Sequence, residues 1–199
     1  MLPLVDRLRH ARPVTVLAVR AETPTAIAVE VERPPGFRFR AGQFAAVTLR
    51  TDSGPELRPL SIASSPHDPT LQFATRIGAS AFRRALADLE PGDTVQVSRP
   101  RGTFRVQPFQ PAVFVTGGMG ITPVRSILRA TGHRQPVQLL YGTHGLEEIV
   151  FRRELEQLAA AEPKFEVTWL FPAARRRRTS PPLLRRFRAS ARTDRQWRC

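Results

Sequence analysis

The sequence predicts an antiparallel β-barrel with one short helix, followed by a smaller α/β unit on a parallel sheet. Two observations carry this prediction. Up to about residue 110, apolar residues alternate with a period of two in short runs, separated by turn-forming clusters. From Pro111 onward, strand-like and helix-like segments take turns, the order that yields parallel strands joined by helical crossovers.

In the first part, Ile27, Val29 and Val31 alternate with small or charged residues between Ala26 and Glu32, as a half-buried strand does. Phe44–Arg50 and Leu71–Arg76 follow the same rule. Pro34-Pro35-Gly36, Ala41-Gly42, Asp52-Ser53-Gly54-Pro55 and Pro91-Gly92-Asp93 supply the turns. The spacing of Phe82, Ala85, Leu86 and Leu89 predicts one helix, with Ser80 as its N-cap.

In the second part, Val113-Phe114-Val115 reads as a short, buried, wholly apolar strand. A helix follows with Val124, Ile127 and Leu128 on one face, then a strand over Val137–Tyr141. A second helix is expected to open at Glu147-Glu148 and to carry Phe151, Leu155 and Leu158. Phe165, Val167, Trp169 and Phe171 alternate along a third strand. The expected organisation is a barrel over 1–110, an α/β domain over 111–172 and an arginine-rich tail over 173–199.

Composition narrows the function. At 41% hydrophobic residues the 199-residue chain can bury a core. It contains no apolar run of about 18 residues, and none long enough for a signal peptide near its start, so a soluble cytoplasmic protein is expected. The single cysteine, Cys199, excludes a disulfide, a structural zinc site and a four-cysteine iron–sulfur cluster within the chain. The net charge of +14 points first to nucleic acid, but residues 174–199 hold ten arginines and one aspartate, which leaves +5 for the rest. The tail lacks a recognition motif, so its charge predicts nonspecific attraction rather than specific nucleic-acid binding. No membrane partner is expected.

Three segments could carry chemistry. Arg58-Pro59-Leu60-Ser61 ends an apparent strand, and its arginine fork and serine hydroxyl suit a phosphate and a ring nitrogen. Thr75-Arg76-Ile77-Gly78-Ala79-Ser80 leads into the helix, where glycine admits a phosphate and free N–H groups favour an anion. Thr116-Gly117-Gly118-Met119-Gly120-Ile121-Thr122-Pro123 follows a strand; its glycines leave room for a dinucleotide, with Thr122 as N-cap and Pro123 at N1. Taken singly, an ordinary strand end, a capped helix and a tight strand–helix connection are the alternative readings of the three segments.

Together these segments resemble the ferredoxin–NADP⁺ reductase superfamily. Pro91-Gly92-Asp93 and Pro100-Arg101-Gly102-Thr103-Phe104 extend the resemblance, in the family's order, over roughly residues 13–172. The resemblance implies an FAD-binding barrel and a nucleotide-binding α/β domain for NADH or NADPH. Arg58 would hold the FAD pyrophosphate. Ser61 would serve the flavin nitrogen that accepts hydride, and so acts at the catalytic position. Gly78, Ala79 and Ser80 would bind the second phosphate, beside Thr75 and Arg76. Gly117, Gly118 and Gly120 would admit the nicotinamide dinucleotide next to Thr116 and Thr122. The implied activity is electron transfer between NAD(P)H and a protein or small-molecule acceptor, such as a separate iron–sulfur or oxygenase component.

Two departures qualify that activity. Leu60 stands where the family places an aromatic over the flavin ring, which forfeits roughly 0.5–1.5 kcal/mol of stacking. The family's last two β-α units, with their Cys-Gly-Pro segment, have no counterpart after Pro172. The nucleotide domain is therefore expected to be incomplete, and a flavin-binding module with impaired NAD(P)H turnover is the alternative. The Arg, Ala, Pro and Ser mixture of the tail fits a frameshift or truncation near residue 172. His144, just past Tyr141-Gly142, could meet the 2′-phosphate of NADPH or be a plain loop histidine.

Overall fold

The computed structural model describes residues 11–107, 110–131 and 135–172. The expectations for the first ten residues and the arginine-rich tail, including Cys199, lie outside the described residues.

The first part holds six antiparallel strands: β1 (Arg12–Thr23), β2 (Ala26–Glu32), β3 (Phe44–Thr51), β4 (Gly54–Ser61), β5 (Thr70–Arg76) and β6 (Thr94–Val97). They form one sheet in the order β4-β3-β6-β1-β2-β5. The barrel is open: its ladders leave β4 and β5 as the two edges. A single bridge, Ile62 to Phe73, ties the end of β4 to β5 and curls the sheet round. The predicted turns fall between strands or at their ends, and Gly36, Gly42, Gly92 and the first residue of β4, Gly54, all take positive φ.

Helix α1 (Ala81–Ala87) has Ser80 as N-cap, accepting from the Arg83 N–H. Phe82 and Leu86 are buried, and Ala85 and Leu89 pack, partly buried, against the same barrel core. That is the face the sequence spacing predicted. It closes one mouth of the barrel core.

The second part is a parallel sheet of β7 (Ala112–Gly117), β8 (Val137–Gly142) and β9 (Phe165–Leu170), in that order. Helices α2 (Ile121–Thr131) and α3 (Arg152–Ala161) connect them. Phe114, Leu139, Tyr141 and Phe165 are buried in one core with Ile121, Val124, Ile127, Leu128 and Leu155 of these helices.

Three expectations are corrected. The strand over Val113–Val115 is not buried on both faces: Val113 is 62% and Val115 74% exposed, because the helices cover only the face of the sheet that carries Phe114, Leu139 and Phe165. The helix expected from Glu147 is broken. A 3-10 turn, Leu146–Glu148, precedes an extended Ile149 and a turn at Val150, and α3 starts only after Phe151, which is left-handed at φ 60. Ile149 and Val150 are buried, and the Arg125 guanidinium stands 4.3 Å over the Phe151 ring, so tertiary packing overrides the helical spacing. Thr122 is not an N-cap. A 3-10 turn, Gly118–Gly120, starts the helix earlier, and the Thr122 hydroxyl donates to the Met119 carbonyl at 2.8 Å.

Small residues let the two sheets approach. Ala26, Ala28, Ala63 and Ala74 on the outside of the barrel are buried in the core shared with α2. A side chain at Gly42 would collide with the Phe104 carbonyl and meet Ile127. Polar contacts complete the seam. Ser126 Oγ donates to the Ser64 carbonyl at 2.6 Å, and Arg129 pairs with Asp68 at 3.0 Å. Arg125, 8% exposed, donates to the Ala63 carbonyl at 2.9 Å and to Gln72 Oε1 at 2.6 Å, and pairs with Glu154 at 2.7 Å.

Candidate functional site

The carboxyl ends of β7 and β8 open toward the barrel. Gly117 and Gly142 are ladder partners there, the place where open α/β sheets take ligands. Facing them is the end of β4 with the adjoining part of β5. Between the two lies a cleft of about 820 Å³. Pro59, Leu60, Ser61, Thr75 and Arg76 line its barrel wall. Gly117, Gly118, Met119 and Thr122 line the opposite wall, and Thr143, His144 and Leu170–Pro172 its outer rim. Residues from all three sequence segments therefore meet in one cavity.

A second hollow of about 530 Å³ shares Pro59, Leu60, Thr75 and Arg83 with the cleft and adds Arg58, Ser80 and Phe82. The two form a continuous trough along β4, wide at the glycine turn and narrow at α1. Leu60 lines both and packs partly on the barrel core. The Ser61 hydroxyl lines the cleft and has no hydrogen-bond partner among the described residues.

The cations differ in their engagements. Arg58 is half exposed, pairs with Glu56 at 2.6 Å, donates to its neighbour's carbonyl at Leu57, and stands over the Phe82 ring at 5.7 Å. These contacts hold its guanidinium at the narrow end of the trough. Arg83 escaped sequence reading, because nothing in its local pattern separates it from a solvated helix residue. It lines both hollows, and its side chain packs on Gly78. Among the described residues its guanidinium has no acidic partner. Gly78 and Ala79 line neither hollow; the Ala79 carbonyl accepts from Arg84.

The glycine turn is shaped by its own neighbours. Any side chain at Gly120 would strike the Thr116 hydroxyl. Gly118 has φ +50, and a Cβ there would lie 2.9 Å from Arg76 Nη2. Tyr141, fully buried, donates its hydroxyl to the Gly118 carbonyl at 2.8 Å and fixes the turn. Burial pushes the Tyr141 phenol up to about 12, so it remains a donor at any physiological pH. Gly118→Ala is expected to cost about 1 kcal/mol through the left-handed backbone alone, seen as a melting point roughly 2–4 °C lower. An unchanged melting curve would contradict this account of the turn.

Among the described residues no three His, Cys, Asp or Glu side chains gather as a metal site, and no helix is long and apolar enough to cross a membrane.

Residues 114–181 match the family described as an oxidoreductase NAD-binding domain. Ferredoxin–NADP reductase B of Sorangium cellulosum is 37% identical over 164 residues, covering 77% of this chain and 67% of that protein. The ferredoxin–NAD(P)⁺ reductase component of the Pseudomonas putida naphthalene 1,2-dioxygenase system is 29% identical over 160 residues, covering 77% of this chain but 48% of its own length. The ferredoxin NADP⁺ reductase of Neisseria gonorrhoeae, solved with bound FAD and NADP, shares the fold with a TM-score of 0.72 at 24% identity, over 83% of this chain and 70% of that one. The chain thus spans two thirds of the first relative and about half of the second. The open antiparallel sheet joined to a parallel sheet is the fold that this chain shares with that solved reductase. The chain belongs to the ferredoxin–NADP reductase family.

Proposed function

We propose that this chain binds FAD along β4 and passes electrons between NAD(P)H and a protein or small-molecule acceptor. One observation carries the reading: a single cleft is walled by Pro59–Ser61 on one side and by Gly117–Met119 and Thr122 on the other. A ring held against β4 would thus face a nucleotide held at the turn.

The residues fit an FAD. The wide part of the trough has an apolar wall in Leu60 and an unpartnered hydroxyl in Ser61, which suit a flavin ring and its nitrogen. The narrow part has Arg58, Arg83 and Ser80, which suit a pyrophosphate. Thr75 lines the same hollow, while Gly78 and Ala79 stand outside it and lead the chain into Ser80. Bound there, FAD supplies the hydride chemistry. Ser61 orients the ring by hydrogen bonding, and Arg58 and Arg83 balance the phosphate charge. Thr116, Gly117, Gly118, Gly120 and Thr122 present a close backbone to NADH or NADPH. No charged acid or base is needed. In this reading residues 1–110 are the flavin domain and 111–172 the nucleotide domain.

An acidic electron carrier suits the surface beyond the cleft. Arg38, Arg40, Arg99, Arg101 and Arg105 are exposed and form no ion pair among the described residues. Phe104, 50% exposed, lies among them. Phe44 pairs with both Ser61 and Arg101, so this surface begins about 10 Å from Ser61 across the sheet. The reading includes a cytoplasmic setting, where NAD(P)H is at hand.

The test is stopped-flow mixing of the FAD-loaded protein with NADH and with NADPH. Rapid bleaching of the flavin band is expected. Bleaching by dithionite alone would leave a flavin-binding module, the reading that the bare Val113 and Val115 face favours. In the same protein Leu60→Tyr is expected to tighten FAD about three- to tenfold by adding ring stacking. Equal or weaker affinity by equilibrium titration would count against the ring's placement on Leu60.

A further inference from the structure

Three chain segments that are far apart in sequence converge on the Arg76 guanidinium. Thr25 lies in the turn between β1 and β2, Arg76 ends β5, and Glu148 ends the 3-10 turn after β8. Arg76 Nη1 donates to Thr25 Oγ1 and to Glu148 Oε2, each at 3.2 Å. The Thr25 hydroxyl donates in turn to the same Glu148 oxygen at 2.5 Å. Each group has one compatible role: Arg76 only donates, Glu148 only accepts, and Thr25 does both.

This triangle uses one side of the guanidinium. The other nitrogen, Nη2, sits over Gly118 inside the cleft and has no hydrogen-bond partner among the described residues. A guanidinium is planar, so fixing one Nη fixes the direction of the other. Without Glu148 and Thr25, a half-exposed arginine at a strand end would sample many rotamers. Glu148 also spans the two sheets, and its carboxyl is held below the usual carboxylate range, first by the Thr25 hydroxyl and then by Arg76 against the opposing effect of burial. The pair therefore stays charged under mildly acidic conditions.

We infer that Glu148, backed by Thr25, is a positioning residue that aims the free edge of Arg76 at the phosphates of the nicotinamide dinucleotide. The inference rests on the nucleotide-binding reading given above. Glu148 itself does not touch the nucleotide; its contribution passes wholly through Arg76.

That dependence makes a double-mutant test decisive. The FAD-loaded protein is titrated with NADP⁺ and with NAD⁺, followed by the perturbation of the flavin spectrum. Arg76→Ala and Glu148→Ala are each expected to weaken binding of the preferred nucleotide about tenfold, the effect of one charge-assisted contact. The double variant is expected to bind no worse than Arg76→Ala alone. Glu148→Gln, whose carbonyl oxygen still accepts from Arg76, is expected to lose less than Glu148→Ala. FAD content is expected to stay at the wild-type level in all four. Additive losses, an unaffected Glu148→Ala, or a fall in FAD content that shows Arg76 serving the flavin instead would each overturn the inference. If the wild-type holoprotein binds neither nucleotide, the functional proposal falls with it.

Discussion

Arg125→Ala is expected to destabilise the protein by about 3 kcal/mol and to lower its melting point by roughly 6–12 °C. The reason is the position of Arg125 in the seam between the two sheets. It is nearly buried, and its guanidinium serves the Ala63 carbonyl, Gln72 and Glu154 at once while covering the Phe151 ring. Truncation leaves the buried Ala63 carbonyl and the part-buried Gln72 oxygen without their donor, the costly half of breaking such a network. It also removes the support of a non-glycine residue in the left-handed region, Phe151.

The loss should depend on pH. Burial raises the Glu22 carboxyl above its usual value, and Arg125 is the first group that opposes the rise. A carboxyl raised on folding contributes stability below its unfolded value and loses it as pH rises through the folded one. Removing Arg125 raises Glu22 further. The variant's deficit should therefore be smaller near pH 5 than near pH 8. Denaturant titrations at the two pH values check this, and a deficit that shrinks as pH rises would contradict it.

Ser61→Ala is expected to slow flavin bleaching by NAD(P)H roughly a hundredfold, the size of losing one preorganised donor at a reacting atom. Ser61 ends β4 opposite Phe44, and it lines the cleft with no hydrogen-bond partner for its hydroxyl among the described residues. Nothing in the fold depends on that hydroxyl, so FAD content and melting point should stay near wild type. Stopped-flow rates at saturating nucleotide are the measurement. A change of less than threefold would remove Ser61 from the reaction and leave it as a wall of the cleft.

Much of this arrangement is written locally in the chain. The alternation of Ile27, Val29 and Val31 predicts β2 because a period of two admits no other regular structure. Ser80 and the Phe82–Leu86 spacing predict α1 and its cap for equally local reasons. The three segments around Ser61, Arg76 and Gly118 could be picked out because glycines and arginines at strand ends are recognisable in sequence. Arg83, Thr25 and Glu148 could not. An arginine on a short helix, a threonine in a turn and a glutamate near a helix start each have an ordinary solvent-facing explanation. Only their convergence on the cleft sets them apart.

By itself, then, the sequence determined the two kinds of sheet, the strand and turn positions, and the segments that could carry a flavin and a nucleotide. Those features depend on backbone geometry and periodicity over a few residues. The tertiary structure decided what each element faces. Ala26 and Ala28 read as the blank side of a strand, yet they are buried in a second core because α2 lies on them. Val113 and Val115 read as core, yet they are exposed because both helices pack on the other face of the sheet. Arg76 reads as a free phosphate ligand, yet Glu148, 72 residues away, holds half of its guanidinium. Burial and charge pairing are set by the partners a residue meets in space, and a local pattern does not contain them.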